Sequence, residues 1–347
     1  VVASRVARLR SWWDGRPCMI VLGIAVRRER HCPVSLAPIS GSRTEPTAPV
    51  TLPTSARLYL PRPALGACVY MAVERDTRGR SLTDAQRFNH YPATPLPMVS
   101  WIFEGELHMV VERHSASVPP VLAPALPRVV FSGPHRKPSA SWSPGPVYAL
   151  SVAFYPEALS RLLGIGVEPF LDKIVPLQAV ATGAVLDALL DIAKVDARDP
   201  LHRLEAGLLH LWQGMHEGQV LPTLRGWVQS MAVRAAFSRP GASLRRTQRR
   251  FKDWTGQSHR DLQLYVRTEQ AMVRATAQAQ AQGAAPDLAS VAAEAGFADQ
   301  SHLGREVRRV TGLSPGRLGK LMENHEAFWF YRLLSEHLHK AAGQSPA

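Results

Sequence analysis

Cysteine is scarce: only Cys18, Cys32 and Cys68 occur in a chain of 347 residues. They are too few and too scattered for a disulfide framework, and free thiols in a reducing cytoplasm are the expected state. Cys18, His31 and Cys32 do not fall at a zinc-binding spacing. An uninterrupted apolar run of about 18 residues, the length that a membrane-spanning helix requires, is also missing. The apolar stretch 18–26 is short, runs into Arg27, Arg28 and Arg30, and leads to no small-residue cleavage site. Secretion and membrane association are therefore not expected, and the cytoplasm is the expected compartment. There is no G-x-S-x-G elbow, Walker loop or G-x-G-x-x-G turn. No His/Glu or His/Cys cluster has the spacing of metal ligands, so no metal or other cofactor is expected and the chain reads as a non-enzyme.

Acidic residues are the minority charge: 28 Asp/Glu stand against 41 Lys/Arg, a net charge of +13. An excess of this size points to a polyanionic partner, and its placement says where that partner binds. Residues 46–224 are balanced, with fifteen charges of each sign. Residues 225–320 carry sixteen Lys/Arg against seven Asp/Glu, and residues 1–45 carry eight against three. One compact C-terminal block thus holds most of the surplus.

The period of the apolar residues divides the rest of the chain. Residues 1–56 show no sustained period, are punctuated by Pro46, Pro49 and Pro53, and are expected to form a largely disordered extension outside the working protein. Between 57 and 155 the pattern is β-like. Val99, Trp101 and Phe103 alternate, Glu104-Gly105 offers a turn, and Leu107, Met109 and Val111 alternate again, which predicts a hairpin with one buried face. Residues 128–131 and 147–154 predict further strands, with turn chemistry at 133–135 and 143–146. Four prolines in 118–127 argue against any regular element there. From Pro156 the spacing turns helical, through Leu159, Leu162 and Leu163, then 185–192, then 204–211. Lone His90 and His135 read as structural. The aromatic run 328–331 is expected to pack a C-terminal helix onto the body or a partner.

Two segments of the basic block repeat at an offset of 56 residues: 243–258, SLRRTQRRFKDWTGQS, and 299–314, DQSHLGREVRRVTGLS. Ser243 and Asp299 are good helix N-caps. Thr247, Phe251 and Trp254 in one copy, and Leu303, Val307 and Val310 in the other, form a stripe at i, i+4, i+7 that faces a core, so Trp254 reads as core rather than as a stacking platform. Arginines occupy the opposite face. Gly256 and Gly312 sit where a left-handed helix stop is needed, and Ser314-Pro315 starts another helix. Ahead of the second copy, Leu288, Val291, Ala292 and Ala295 form a short apolar helix ended by Gly296. A short helix, a glycine turn and a basic second helix make a helix-turn-helix unit. For the first unit, Trp227, Met231, Val233 and Ala236 predict the leading helix. The segment from Asp261 to about Gln280 contains no Pro or Gly and predicts a stiff helical spacer about 30 Å long, close to one turn of duplex DNA.

The stretch 287–318, DLASVAAEAGFADQSHLGREVRRVTGLSPGRL, resembles the C-terminal signature of the AraC/XylS family of transcription regulators, through GFADQSH, REVRR and TGLSP. The resemblance spans roughly residues 224–320. It departs from the family at Thr247, Val307 and Gly319, where the family usually has Leu, Phe and Arg. It implies base-facing positions at Arg245, Gln248 and Arg249 in the first unit and at Ser301, His302 and Arg305 in the second. The side chains suit the task, since Arg pairs bidentately with guanine and Gln with adenine in the major groove.

The resemblance also implies an α+β architecture. A β-rich N-terminal sensory domain (57–155) binds a small-molecule effector or forms a homodimer, and a helical connector (156–223) leads to an all-α domain (224–320) with two helix-turn-helix units. A C-terminal helix and tail (321–347) follow. Double-stranded DNA and RNA polymerase are the implied partners of such an activator. A DNA-modifying or small-molecule enzyme that uses the module for targeting is the alternative, but Cys68 in ALGACVYM has no catalytic partner near it in sequence.

Overall fold

Among the described residues, short segments between 56 and 176 form ten strands, which a computed structural model places in two antiparallel sheets. The structure describes residues 56–112, 120–194, 200–212, 223–238 and 243–344. The extension expected over 1–56 lies, apart from Ala56, outside the described residues, as do Cys18 and Cys32. In chain order the strands are β1 (Ala56–Tyr59), β2 (Val69–Asp76), β3 (Phe88–Tyr91), β4 (Met98–Glu104), β5 (His108–Glu112), β6 (Val121–Ala125), β7 (Val129–Ser132), β8 (Ser139–Trp142), β9 (Tyr148–Phe154) and β10 (Ile174–Pro176). One sheet has the order β1-β2-β9-β4-β7-β10 and the other β3-β8-β5-β6.

The expected hairpin is corrected by this topology. The turn at Glu104-Gly105 forms, with Gly105 at φ +79°, but the strands on either side do not pair. β4 pairs with β7 and β9, whereas β5 pairs with β6 and β8. Gly105 is where the chain crosses from one sheet to the other; a Cβ there would strike the Pro146 carbonyl oxygen. Leu107 and Met109 consequently face the space between the sheets, and Val111 is 62% exposed. The proline-rich stretch is corrected as well, since β6 contains Pro124. Proline lacks the N–H that a central strand needs, but β6 is an edge strand and Pro124 falls in a register irregularity, outside the residues paired with β5.

Alternation works cleanly in β4. Val99 and Trp101 point away from the second sheet and are fully buried, and the Trp101 indole donates to the Leu189 carbonyl at 2.7 Å. Met98, Ser100 and Ile102 point the other way and line an inter-sheet cavity. Helices cover the outer face: α1 (Pro156–Leu163), α2 (Gly183–Asp191) and α3 (Pro200–Trp212). β10 lies between the first two and pairs with β7, so the stretch expected to be a helical connector also contributes a strand.

Seven further helices follow: α4 (Leu224–Phe237), α5 (Leu244–Thr255), α6 (His259–Gln282), α7 (Leu288–Glu294), α8 (Gln300–Thr311), α9 (Pro315–Asn324) and α10 (Trp329–Gln344). The fold is thus α+β, with a β-rich N-terminal half and a helical C-terminal half. A continuous apolar core runs from Val99, Phe131 and Phe154 through Leu159 and Trp227 to Leu262 and Leu264. The aromatic run 328–331 is buried at the start of α10, against β3. His90 stacks on Phe328 at 4.6 Å, and His135 is bound to Ser132 Oγ at 2.8 Å with its pKa lowered by burial. Among the described residues no helix is long and apolar enough to cross a membrane.

Candidate nucleic-acid interface

The repeat at offset 56 survives folding down to single hydrogen bonds. Thr255 and Thr311 are both buried at the ends of α5 and α8. The Thr255 hydroxyl reaches the carbonyls of Phe251 and Gln257, both at 2.9 Å. The Thr311 hydroxyl reaches those of Val307 and Leu313, at 2.8 and 3.0 Å. Gly256 and Gly312 then adopt φ +76° and +77°, and their N–H groups donate to Lys252 and Arg308. The next helices open on Ser258, whose hydroxyl accepts from the Asp261 N–H, and on Ser314 with Pro315 in the first turn. Two basic helices thus leave the same kind of joint in the same way.

Their N-termini differ. Asp299 accepts the His302 N–H at 2.6 Å and caps α8. Ser243 stands at the N-cap of α5 but makes no side-chain cap bond. The cores differ too. Leu303 and Val307 pack with Val291, Ala292, Ala295 and Phe297 in a separate cluster that also takes Ala271 from α6. In the first unit Phe251 enters the main core, with Thr247 and Trp254 only partly covered. The stripe expected on α4 is corrected: Leu224, Trp227, Val228, Met231 and Ala235 are buried, whereas Val233 is 53% exposed. The buried set begins one turn earlier because Thr223 caps the helix by accepting from Gly226 N–H at 3.1 Å.

Arg245, Gln248 and Arg249 on α5, and Ser301 and Arg305 on α8, are exposed. None of these three arginines is in a salt bridge with another described residue. His302 is half-buried. Its Nδ1 accepts the Ala298 N–H at 3.3 Å and its ring lies edge-on to Phe297, which leaves Nε2 as the free edge. Neighbouring arginines have other work. Arg250 donates to the Ala235 carbonyl at 3.3 Å and to Ser238 Oγ, which fastens α5 to α4. Arg309 pairs with Asp261 at 3.7 Å and with Glu306 at 3.9 Å, which ties α8 to α6. Sequence pattern places all of these on one basic face and carries no signal that separates the exposed arginines from those bound to neighbouring elements.

Helix α6 spans 24 residues, about 36 Å. It is embedded rather than free-standing, with Leu262, Leu264, Tyr265 and Val266 in the main core and Ala271 in the core of the second unit. Both units also touch the β-rich half. The Ala93 N–H donates to the Val310 carbonyl at 2.7 Å, Tyr265 donates to the His135 carbonyl at 3.4 Å, and Lys252 pairs with Glu168 at 2.6 Å.

The inter-sheet cavity is a separate feature of the β-rich half. It has a volume of about 110 Å³ and apolar walls that include Met71, Val73, Met98 and Val130. Its polar lining includes several serines bonded to neighbours, such as Ser100 with Ser151 at 2.8 Å. Cys68 is buried and free, and burial pushes its thiol well up, which leaves it poorly suited to act as a nucleophile. Among the described residues no group of His, Cys, Asp and Glu could hold a metal ion.

Residues 238–320 match a family model described as a helix-turn-helix domain. Solved structures of ToxT from Vibrio cholerae are similar to the chain. An apo variant shares 10% identity over 76% of this chain and 96% of that one, with a TM-score of 0.32. ToxT bound to (E)-4-(8-methylnaphthalen-1-yl)but-3-enoic acid gives 10%, 76%, 97% and 0.31. ToxT bound to an unsaturated fatty acid gives 11%, 68%, 94% and 0.28. A sequence comparison with curated proteins gives no match.

Proposed function

The C-terminal module is an AraC-type helix-turn-helix domain, and from that premise we propose that the chain is a sequence-specific DNA-binding transcription regulator. One observation carries this reading: two helices 56 residues apart, with C-terminal joints matched to the hydrogen bond, expose polar and cationic side chains in their N-terminal halves. In a helix-turn-helix the second helix enters the major groove with its N-terminal residues nearest the base edges. Arg245, Gln248 and Arg249 read one groove segment, and Ser301, His302 and Arg305 read another. Arg305 suits guanine and Gln248 adenine, while His302 offers Nε2–H to a base or phosphate acceptor. With α6 between them, the two helices address groove segments about ten base pairs apart.

The β-rich half supplies the control. The cavity between its sheets receives a small-molecule effector, and the contacts from Ala93, His135 and Glu168 transmit its occupancy to the two units. RNA polymerase is the downstream partner of an activator of this design, and a homodimer would double the operator. The protein acts without catalysis. Selection of genomic fragments by the purified chain tests the reading, and recovery of a shared motif is the expected outcome. Retention no better than on random duplex would overturn it.

A further inference from the structure

Asp172 is the one non-glycine residue with a positive φ, +57°, among the described residues. Asp tolerates that left-handed conformation better than most side chains, but it persists only where the surroundings over-determine it. Its own bonds supply that constraint. The Asp172 N–H donates to the Pro134 carbonyl at 2.8 Å, and its carboxylate accepts from the Arg136 N–H at 2.6 Å and from the Arg136 guanidinium at 2.8 Å. The Gly133 N–H donates to the Lys173 carbonyl at 2.9 Å, and a Cβ on Gly133 would strike the Phe170 carbonyl oxygen. Residues 133–138, between β7 and β8, are thereby laced to residues 167–173, ahead of β10, into one wedge.

The wedge meets the two helix-turn-helix units at equivalent points of the repeat. Gly256 and Gly312, the left-handed stops of α5 and α8, both lie against it. A Cβ on Gly256 would sit 2.9 Å from Val167 Cγ2, and one on Gly312 would sit 3.3 Å from Pro138 Cγ. Further bonds flank each contact. Beside the first stop, Lys252 pairs with Glu168 at 2.6 Å and Tyr265 donates to the His135 carbonyl at 3.4 Å. Beside the second, the Ala93 N–H donates to the Val310 carbonyl at 2.7 Å, and the next residue, Thr94, exchanges two backbone bonds with His135. Arg309 and Asp261, which join α8 to the start of α6, stand 3.7 Å apart with exposed side chains, a pair that contributes little. Helix α6 sets the distance between the units, but a long helix curves, and it leaves its two ends free to roll and bend relative to each other. One base pair advances about 3.4 Å along the duplex and turns it by about 34°. Small changes in the relative placement of α5 and α8 therefore change which operator spacing both can read.

We propose that the wedge is a gauge: it braces the C-terminal ends of both basic helices against one body and so fixes the separation and phase of the two groove segments, with Asp172 and Pro138 as positioning residues. The proposal rests on the DNA-binding reading and adds the residues that select operator spacing. The test uses the full chain with the operator recovered by fragment selection, and with versions in which the two segments are moved apart or together by one base pair. The wild-type chain should lose affinity severalfold on both altered operators. Asp172→Asn tolerates the same φ but removes the charge that holds Arg136, and Pro138→Gly removes the ring that meets Gly312. Both variants should flatten the spacing preference severalfold. A loss of global stability alone would weaken binding to all three operators together and leave the preference intact.

A second readout needs no DNA. In a chain with Cys18→Ser and Cys32→Ser, spin labels at Arg246→Cys and Arg308→Cys, both exposed positions, should give one narrow distance distribution. That distribution should broaden in either wedge variant; should one variant not fold, the other decides. An unchanged spacing preference, or an unchanged distance distribution, in a folded variant would each overturn the proposal. Broadening in a chain that selects no duplex would sink the DNA reading and leave the brace standing.

Discussion

Adjacent arginines on α5 divide the labour, and substitution separates them. Arg249 is exposed, whereas Arg250 is spent on the Ala235 carbonyl and Ser238. Arg249→Ala should leave denaturant stability unchanged and weaken DNA binding. Arg250→Ala removes charge-assisted bonds and should cost about 1.5–3 kcal/mol in urea unfolding. On α8, Arg305→Ala should cost about 1–3 kcal/mol at one base position and relax specificity there. Equal weakening on every sequence would place Arg305 on phosphate instead. Glu269 makes the clearest pH prediction. It keeps part of its surface exposed, yet burial pushes its carboxyl from 4.5 up to about 8. Over that interval the folded chain keeps the proton and the unfolded chain has released it. The stabilisation is complete below about pH 4.5 and is lost as pH rises through 8. Glu269→Gln should flatten that fall in thermal melts, and an unchanged pH profile would show that the carboxyl is well solvated. Exposure at these positions was legible from the helical period, but the bonds of Arg250 and the burial of Glu269 depend on neighbours that no local pattern names.

Helix ends and sheet crossings are where the elements can be tested. Gly256 and Gly283 both adopt left-handed φ, +76° and +61°. Gly283 faces open space, so Gly283→Ala should cost only the conformational penalty, about 1–2 kcal/mol. At Gly256 an added Cβ would also sit 2.9 Å from Val167, so Gly256→Ala should cost more and should disturb α5 against the chain ahead of β10. Equal chemical denaturation midpoints for the two variants would refute that packing. Caps, glycine stops and the 3.6-residue period made the two basic helices and α6 readable in sequence. Strand pairing was less readable. Alternation reports which side chains share a face, not which strand lies alongside, so β4 and β5 looked like partners although Gly105 sends them to different sheets. Composition alone excluded β6, because a proline is tolerated at an edge and the edge is a property of the whole sheet.

At the scale of the molecule, the two basic units are held against the β-rich half at several separate places. The partners that do this are far apart in sequence: Arg75 and Glu326 are separated by 251 residues, and Asn89 and Trp329 by 240. No periodicity links such pairs, which is why residues 328–331 could be read only as an aromatic run awaiting something to cover. The charge layout was readable, and it yields a prediction for the whole surface. Binding should weaken steeply with salt as phosphate contacts release counterions, with a log–log slope near −0.9 for each phosphate neutralised. A flat salt response would argue against a phosphate-rich interface. The most direct measurement is a footprint of the full chain on its selected operator. Two protected major-groove segments about ten base pairs apart on one face of the duplex are expected. Protection of a single segment, or none beyond that given by random duplex, would contradict the account.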